Sequence, residues 1–347
     1  MKRFAFGMIA GVVTFFAGLT AGYVTVAIAW PASLPAPAIG RLELIDEKLR
    51  FIRERPWLDP RILAVGSSIT WRQLDGAAFG KAAGGRSPFF NGGTGALKSH
   101  QTADLLDFYL DHFRHVSTVL VLTNQEDFSD CTQLPAALLD HGAAASYAFD
   151  GWPAAYFYFR YFSPQRYLRA AWTLADKRKP FVGDSYLDAY GSGPMIVPPS
   201  MQRGLRYRPV DPDPACTADL IALSHRMAAR KIRLVVVFPP MHPDYRRAYP
   251  EVAAWTARTI AQLAAATAVD KTTIVPLYDD PRFVAEDFFD AYHLQWPAVR
   301  RLSAIVASIM EQPGGQGPPQ GPETAVPVAE AANKASRHDG ESLNESP

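Results

Sequence analysis

From Phe4 to Trp30 the chain carries no charged residue and nearly every position is apolar or small, while Lys2 and Arg3 precede the run. Such a run has neither the 3.6-residue alternation of a surface helix nor the two-residue alternation of a half-buried strand. A hydrocarbon core asks for about 20 apolar residues, so residues 4–30 predict a membrane-spanning signal anchor. The two leading cations then place the remainder across the membrane by the positive-inside rule: a single-pass protein of the inner membrane with its body in the periplasm. The run ends on Ala27-Ile28-Ala29, an A-x-A pattern where a signal peptide would be cut, and cleavage there is the alternative. Gly7, Gly11, Gly18 and Gly22 fall within a sector of roughly 60° on one helix face, where a second membrane helix could pack.

After a linker at Ala36–Arg41 and a short helix at Ile45–Arg53, the pattern changes to apolar runs alternating with helical stretches. Arg61–Val65, Pro88–Asn91, Thr118–Thr123, Arg233–Phe238 and Thr273–Leu277 read as strands, most of them apolar on both faces as buried parallel strands are. Helical periodicity fits Thr102–His115, Thr217–Arg230, Glu251–Ala268 and Pro297–Glu311. The alternation predicts an α/β fold, a flavodoxin-like three-layer α/β/α arrangement around a parallel sheet of about five strands. From Pro313 the chain is rich in Pro, Gly and polar residues and has no aromatic, so residues 313–347 predict a disordered tail. The expected organisation is an anchor and linker at 1–40, an α/β domain at 41–312 and the tail.

Over 100 residues separate Asn124 from Arg233, more than one crossover helix requires, which marks an insertion or lid at about 132–215. Half of the window from Trp152 to Tyr167 is aromatic. Aromatic faces stack on sugar rings, fill cores or meet a membrane surface. A net charge of +1, from 35 Lys+Arg against 34 Asp+Glu, with no basic run interleaved with aromatics, argues against a nucleic-acid partner. Cys131 and Cys216 are too few for a disulfide scaffold and lack the paired spacing of a zinc site. In an oxidising compartment they form either one disulfide or two buried thiols.

Ligands of open parallel sheets sit beyond the carboxyl ends of the strands. The residues there are Gly66-Ser67-Ser68, Asn91-Gly92-Gly93-Thr94-Gly95, Asn124 and Pro239-Pro240-Met241-His242, with Asp290-Ala291-Tyr292-His293 before the last helix. A serine becomes a useful nucleophile when an imidazole takes its proton, and a carboxylate fixes that imidazole's tautomer. Ser68, His293 and Asp290 fit those roles. The Ser68 amide, a glycine amide from Gly93 or Gly95 and the Asn124 side chain are candidate donors to a developing oxyanion. His242 stands at the same edge as a candidate substrate contact. Each piece also has a plain structural use, as turn, cap or loop residue.

This set, in this chain order, resembles the SGNH or GDSL-like hydrolase superfamily over about residues 61–310. The nucleophile position of its G-D-S block falls on Ser68, with Ser67 where aspartate is usual; the Gly block aligns on Gly93 or Gly95; Leu122-Thr123-Asn124-Gln125 stands for G-x-N-D. With the anchor, the chain resembles membrane-tethered polysaccharide O-acetylation proteins of the alginate type. The resemblance implies acyl transfer or acyl-ester hydrolysis on an exported polysaccharide, in cellulose or alginate systems for example, by a Ser-His-Asp mechanism. It calls for no metal and no cofactor, and for a membrane-bound acyltransferase as partner. Two other readings stay open: a catalytically dead carbohydrate-binding or assembly subunit, and an esterase for small lipids, which would need an apolar acyl pocket.

Overall fold

The computed structural model of the chain describes residues 2–311 apart from 31–32, 81–88, 199, 201–203, 206 and 271. The expected tail lies outside the described residues. Helix α1 (Lys2–Ala29) is long and apolar enough to cross a membrane, and its apolar window buries nothing against the body. Only its last turns are covered, with Ala27 buried.

Five parallel strands form one sheet in the order β2-β1-β3-β4-β5. They are β1 (Ile62–Ala64), β2 (Phe89–Asn91), β3 (Thr118–Leu122), β4 (Arg233–Phe238) and β5 (Thr273–Pro276). β1 is central to its half: Leu63 pairs with Phe90 on one side and Val119 on the other. β3 and β4 then run in register from Thr118 opposite Arg233 to Leu122 opposite Val237. The run Leu234-Val235-Val236-Val237 is buried throughout, because a strand covered on both faces needs apolar side chains pointing both ways. Alternate residues feed two separate cores. Leu63, Val119, Val121, Leu234 and Val236 belong to one, with residues of α2 (Glu43–Arg53), α4 (Ser99–His112) and α8 (Pro214–Ala229). Ala64, Leu120, Leu122, Val235 and Val237 belong to the other, with α11 (Trp296–Glu311).

Two helices start three residues earlier than their periodicity predicts. α4 begins at Ser99 because the Gln101 side chain accepts from Lys98 N–H at 3.1 Å, and α8 begins at Pro214 because Asp213 caps Ala215 N–H at 2.9 Å. Proline fits this first helical position, having no N–H to leave unpaired. The segment expected as a linker, 36–41, is packed: Ile39 is buried and Arg41 N–H donates to Leu138 O at 2.8 Å.

The long segment between β3 and β4 folds into α5 (His141–Ala148), α6 (Ala154–Arg160) and α7 (Pro164–Lys177), followed by irregular chain. That irregular part runs beside β2, where Asn91 N–H donates to Tyr190 O at 2.9 Å and Gly193 N–H to Trp71 O at 3.0 Å. Lys48 of α2, fully buried, donates from Nζ to Asn91 O and Gly191 O and so ties this chain to the end of β2. Burial holds its ammonium well below the usual lysine range, and Asp188 partly opposes that. A disulfide between Cys131 and Cys216 joins the start of the segment to the first turn of α8.

Candidate active site

At the carboxyl end of β1 the chain turns at Gly66 and enters α3 (Ser68–Arg72). Ser67 is the cap of this short helix, its hydroxyl accepting from Ile69 N–H at 3.4 Å. Gly66 is required by close packing: a Cβ there would lie 2.2 Å from Thr70 Oγ1. Thr70 in turn bonds β3, donating to Leu122 O at 3.0 Å and accepting from Leu122 N–H at 3.1 Å. The turn that presents Ser68 is thereby pinned to the neighbouring strand.

Ser68 Oγ lies 3.0 Å from His293 Nε2. On the other side of the ring, His293 Nδ1 is 3.0 Å from Asp290 Oδ2 and 3.1 Å from Oδ1. Asp290 is an acceptor when ionised, so Nδ1 carries the proton toward it and Nε2 is left to accept from the Ser68 hydroxyl. Asp290 is itself held by the loop, accepting from Tyr292 N–H at 2.9 Å and His293 N–H at 2.8 Å. Burial pushes its carboxyl upward, but the His293 hydrogen bond and charge and these two amides outweigh it, leaving the group below the usual carboxylate range. Asp290 therefore stays ionised at neutral pH.

A cavity of about 170 Å³ opens beside Ser68 and His293, with Ala96, Lys98, Asn124 and Tyr207 in its wall. Asn124 is buried with Oδ1 lacking a hydrogen-bond partner among the described residues. Gly93 and Gly95 are not in this wall. Gly93 N–H donates to Asn91 Oδ1 at 3.0 Å, so that amide is already engaged, and space around Gly95 is open. Ala96, one residue further on with φ of 55°, is the part of the turn that reaches the cavity. His242 does not line the cavity. Its Nδ1 accepts from Asp244 N–H at 3.1 Å and caps α9 (Pro243–Ala248).

Sequence reasoning missed Asp127, which lies behind Ser67 and Asn124. Its Oδ2 accepts from Thr123 Oγ1 at 3.0 Å and from Asn124 N–H at 3.3 Å. Burial pushes this carboxyl up to about 7, against hydrogen bonds from Ser67, Thr123 and Asn124 that lower it. The signal for it was a carboxylate three residues past Asn124 at a strand end. Tyr207 has no such signal: it arrives from the far end of the long segment, its ring 5.3 Å from Tyr292 and 6.5 Å from His293.

A hydroxyl, an imidazole and an ionised carboxylate in series can relay one proton away from the hydroxyl and return it. No family model and no curated protein matches the chain.

Proposed function

We propose that Ser68, His293 and Asp290 form the nucleophilic unit of an acyl transferase or esterase related to the SGNH or GDSL-like hydrolases. The supporting observation is the hydrogen-bonded series from Ser68 Oγ through His293 to Asp290 at the carboxyl end of a parallel sheet. The strand order and the two core clusters support a flavodoxin-like, three-layer reading of the fold.

In the first half-reaction Ser68 Oγ bonds to the acyl carbonyl carbon as its proton passes to His293 Nε2. The carbonyl electron pair moves onto oxygen, which takes hydrogen bonds from the Ser68 N–H, free of an intrahelical acceptor at the start of α3, and from the Asn124 amide. Collapse breaks the bond to the donor's leaving group, which departs with the proton from His293. The second half repeats these steps with a sugar hydroxyl or water as the attacking group. Asp290 holds the imidazole in one tautomer and stabilises it while it is cationic.

The cavity is smaller than the roughly 300–1,000 Å³ of sites for drug-sized ligands, which suits a short acyl group and disfavours a lipid chain. The apolar α1 after Lys2-Arg3 supports an inner-membrane protein with a periplasmic body, and the Cys131–Cys216 disulfide agrees with an oxidising compartment. An exported polysaccharide is the acceptor such a body would meet. The open space around Gly7, Gly11, Gly18 and Gly22 would take the helix of a membrane-bound acyl-donating partner.

Covalent labelling with a serine-directed fluorophosphonate tests the reading. A single adduct on Ser68, blocked by a short-chain acyl ester, is the expected result. Labelling absent from the folded protein, or mapped to another serine, would return the chain to the reading of a dead binding or assembly subunit.

A further inference from the structure

Helix α7 shows large apolar side chains on its exposed side. Two of its cations and the one just past its end turn toward α2: Arg166 pairs with Asp46 at 2.6 Å, Lys177 with Glu43 at 2.6 Å and Arg178 with Glu47 at 2.9 Å, while Arg169 and Asp176 stay exposed. Its outward positions carry Leu168 and Trp172, one helical turn apart and 68% and 85% exposed. The adjoining chain adds Phe159 and Phe162, also exposed. Four large apolar side chains exposed together, with Arg169 and Asp176 able to reach out at the rim, call for an apolar cover.

α6, the connection after it and the first turn of α7 hold α1. Tyr23 Oη donates to Tyr158 O at 3.0 Å, and the Tyr23 ring meets those of Phe162 at 5.1 Å, Tyr167 at 5.2 Å and Phe159 at 5.9 Å. The exposed face is thus continuous with the apolar surface of α1. Depth follows from helix rise: from Arg3 to Gly22, at about 1.5 Å per residue, α1 covers about 30 Å, the thickness of a hydrocarbon core. Tyr23 and the aromatic rings around it therefore stand where hydrocarbon gives way to headgroups, the depth at which Trp and Tyr collect.

We infer that α7 and the end of α6 lie in the membrane–water interface, with Leu168 and Trp172 inserted among the lipids of the bilayer that α1 crosses. α2 is then the inner counterpart whose acids pair with Arg166, Lys177 and Arg178 from the protein side. The body is held against the membrane surface at two points, the span and this in-plane helix, which fixes its orientation in a way that α1 alone would not.

The inference is independent of the chemistry at Ser68 and is tested on the full chain, with α1 present and the disulfide intact, in phosphatidylethanolamine/phosphatidylglycerol vesicles. Nitroxide labels are placed at Leu168→Cys and Trp172→Cys, with Phe16→Cys in the span and Val269→Cys, 85% exposed on the turn after α10 (Pro250–Ala266), as references. Labels at 168 and 172 should collide with oxygen readily and with a water-soluble nickel chelate several-fold less often than the label at 269. Nickel accessibility equal to that at 269 would overturn the inference. Should labelling disturb the fold, brominated lipid serves on unlabelled protein: the quenchable share of tryptophan fluorescence should fall in Trp172→Phe, and an unchanged share overturns the proposal.

Discussion

Ser68 and His293 stand 225 positions apart in the chain, yet their Oγ and Nε2 atoms are 3.0 Å apart. The contact is set by two loops at one edge of the sheet, each braced from behind. Thr70 ties the Ser68 turn to β3, and the amides of Tyr292 and His293 hold Asp290 beneath the imidazole. Such a contact is preorganised, since neither side chain needs a rotamer change to exchange a proton.

Replacing Ser68 by Ala should remove acyl transfer or ester hydrolysis, by about 10⁶-fold if the unit behaves as serine hydrolases do, with the melting temperature little changed. His293→Ala should cost about as much, since members of one unit are not additive. Asp290→Asn should cost less, about 10⁴-fold, because the imidazole remains but its tautomer is wrong. Turnover of an acylated sugar by the purified variants measures all three, and parental activity in Ser68→Ala would reject the mechanism.

Gly66→Ala should lower both stability and activity. The added methyl would stand 2.2 Å from Thr70 Oγ1, and relieving that contact displaces the brace that presents Ser68. Overpacking of this kind costs about 1–3 kcal/mol. Denaturant unfolding together with the labelling rate at Ser68 reads the effect. Thr70→Ser, which keeps the hydroxyl and drops only a methyl, should leave the labelling rate near the parent's.

The stability contributed by three buried carboxyls should fall as pH rises from about 4 to 7. Burial is the first cause in each case, raising Asp46 and Asp127 to about 7 and Asp188 to about 6, from the ordinary aspartate value of 3.8. Between those values the native protein binds protons that the unfolded chain has released, so folding is favoured at the acid end and the advantage is lost as pH passes through the folded pKa. Asp127→Asn should flatten part of this dependence while keeping an acceptor for Thr123 and Asn124. Thermal unfolding across the pH series checks it, and a midpoint rising over that range would contradict the assignment.

Removing the Cys131–Cys216 bond, as Cys131→Ser with Cys216→Ser, should cost about 2–5 kcal/mol, as for other native disulfides that close long loops. Its two cysteines are separated by 85 positions, a loop that contains all of α5, α6 and α7. Guanidinium unfolding of the body measures the loss, and protease sensitivity concentrated between residues 132 and 215 would show which part loosens first.

The five strands and the helices α4, α8, α10 and α11 were readable from the chain, because buried parallel strands must be apolar on both faces and helices must repeat near 3.6 residues; α7, as long as α4, was not. Residues 233–238 and 251–266 carry those constraints in their own side chains. The order Ser68, Asn124, Asp290, His293 was readable too, since strand ends in such a sheet share one edge. Tertiary structure decided what depends on a partner distant in sequence. Whether the Gly93 amide is free depends on which way the Asn91 side chain turns, and Asn91 is set by carbonyls of Thr70 and Trp71 and by Ser192 from the insertion. His242 becomes a helix cap only because Asp244 N–H comes within reach. Asp127 becomes a buried acid because Ser67 and Asn124 close over it. α7 itself went unread within the insertion, and which of its cations turn inward depends on the acids of α2, far away in sequence.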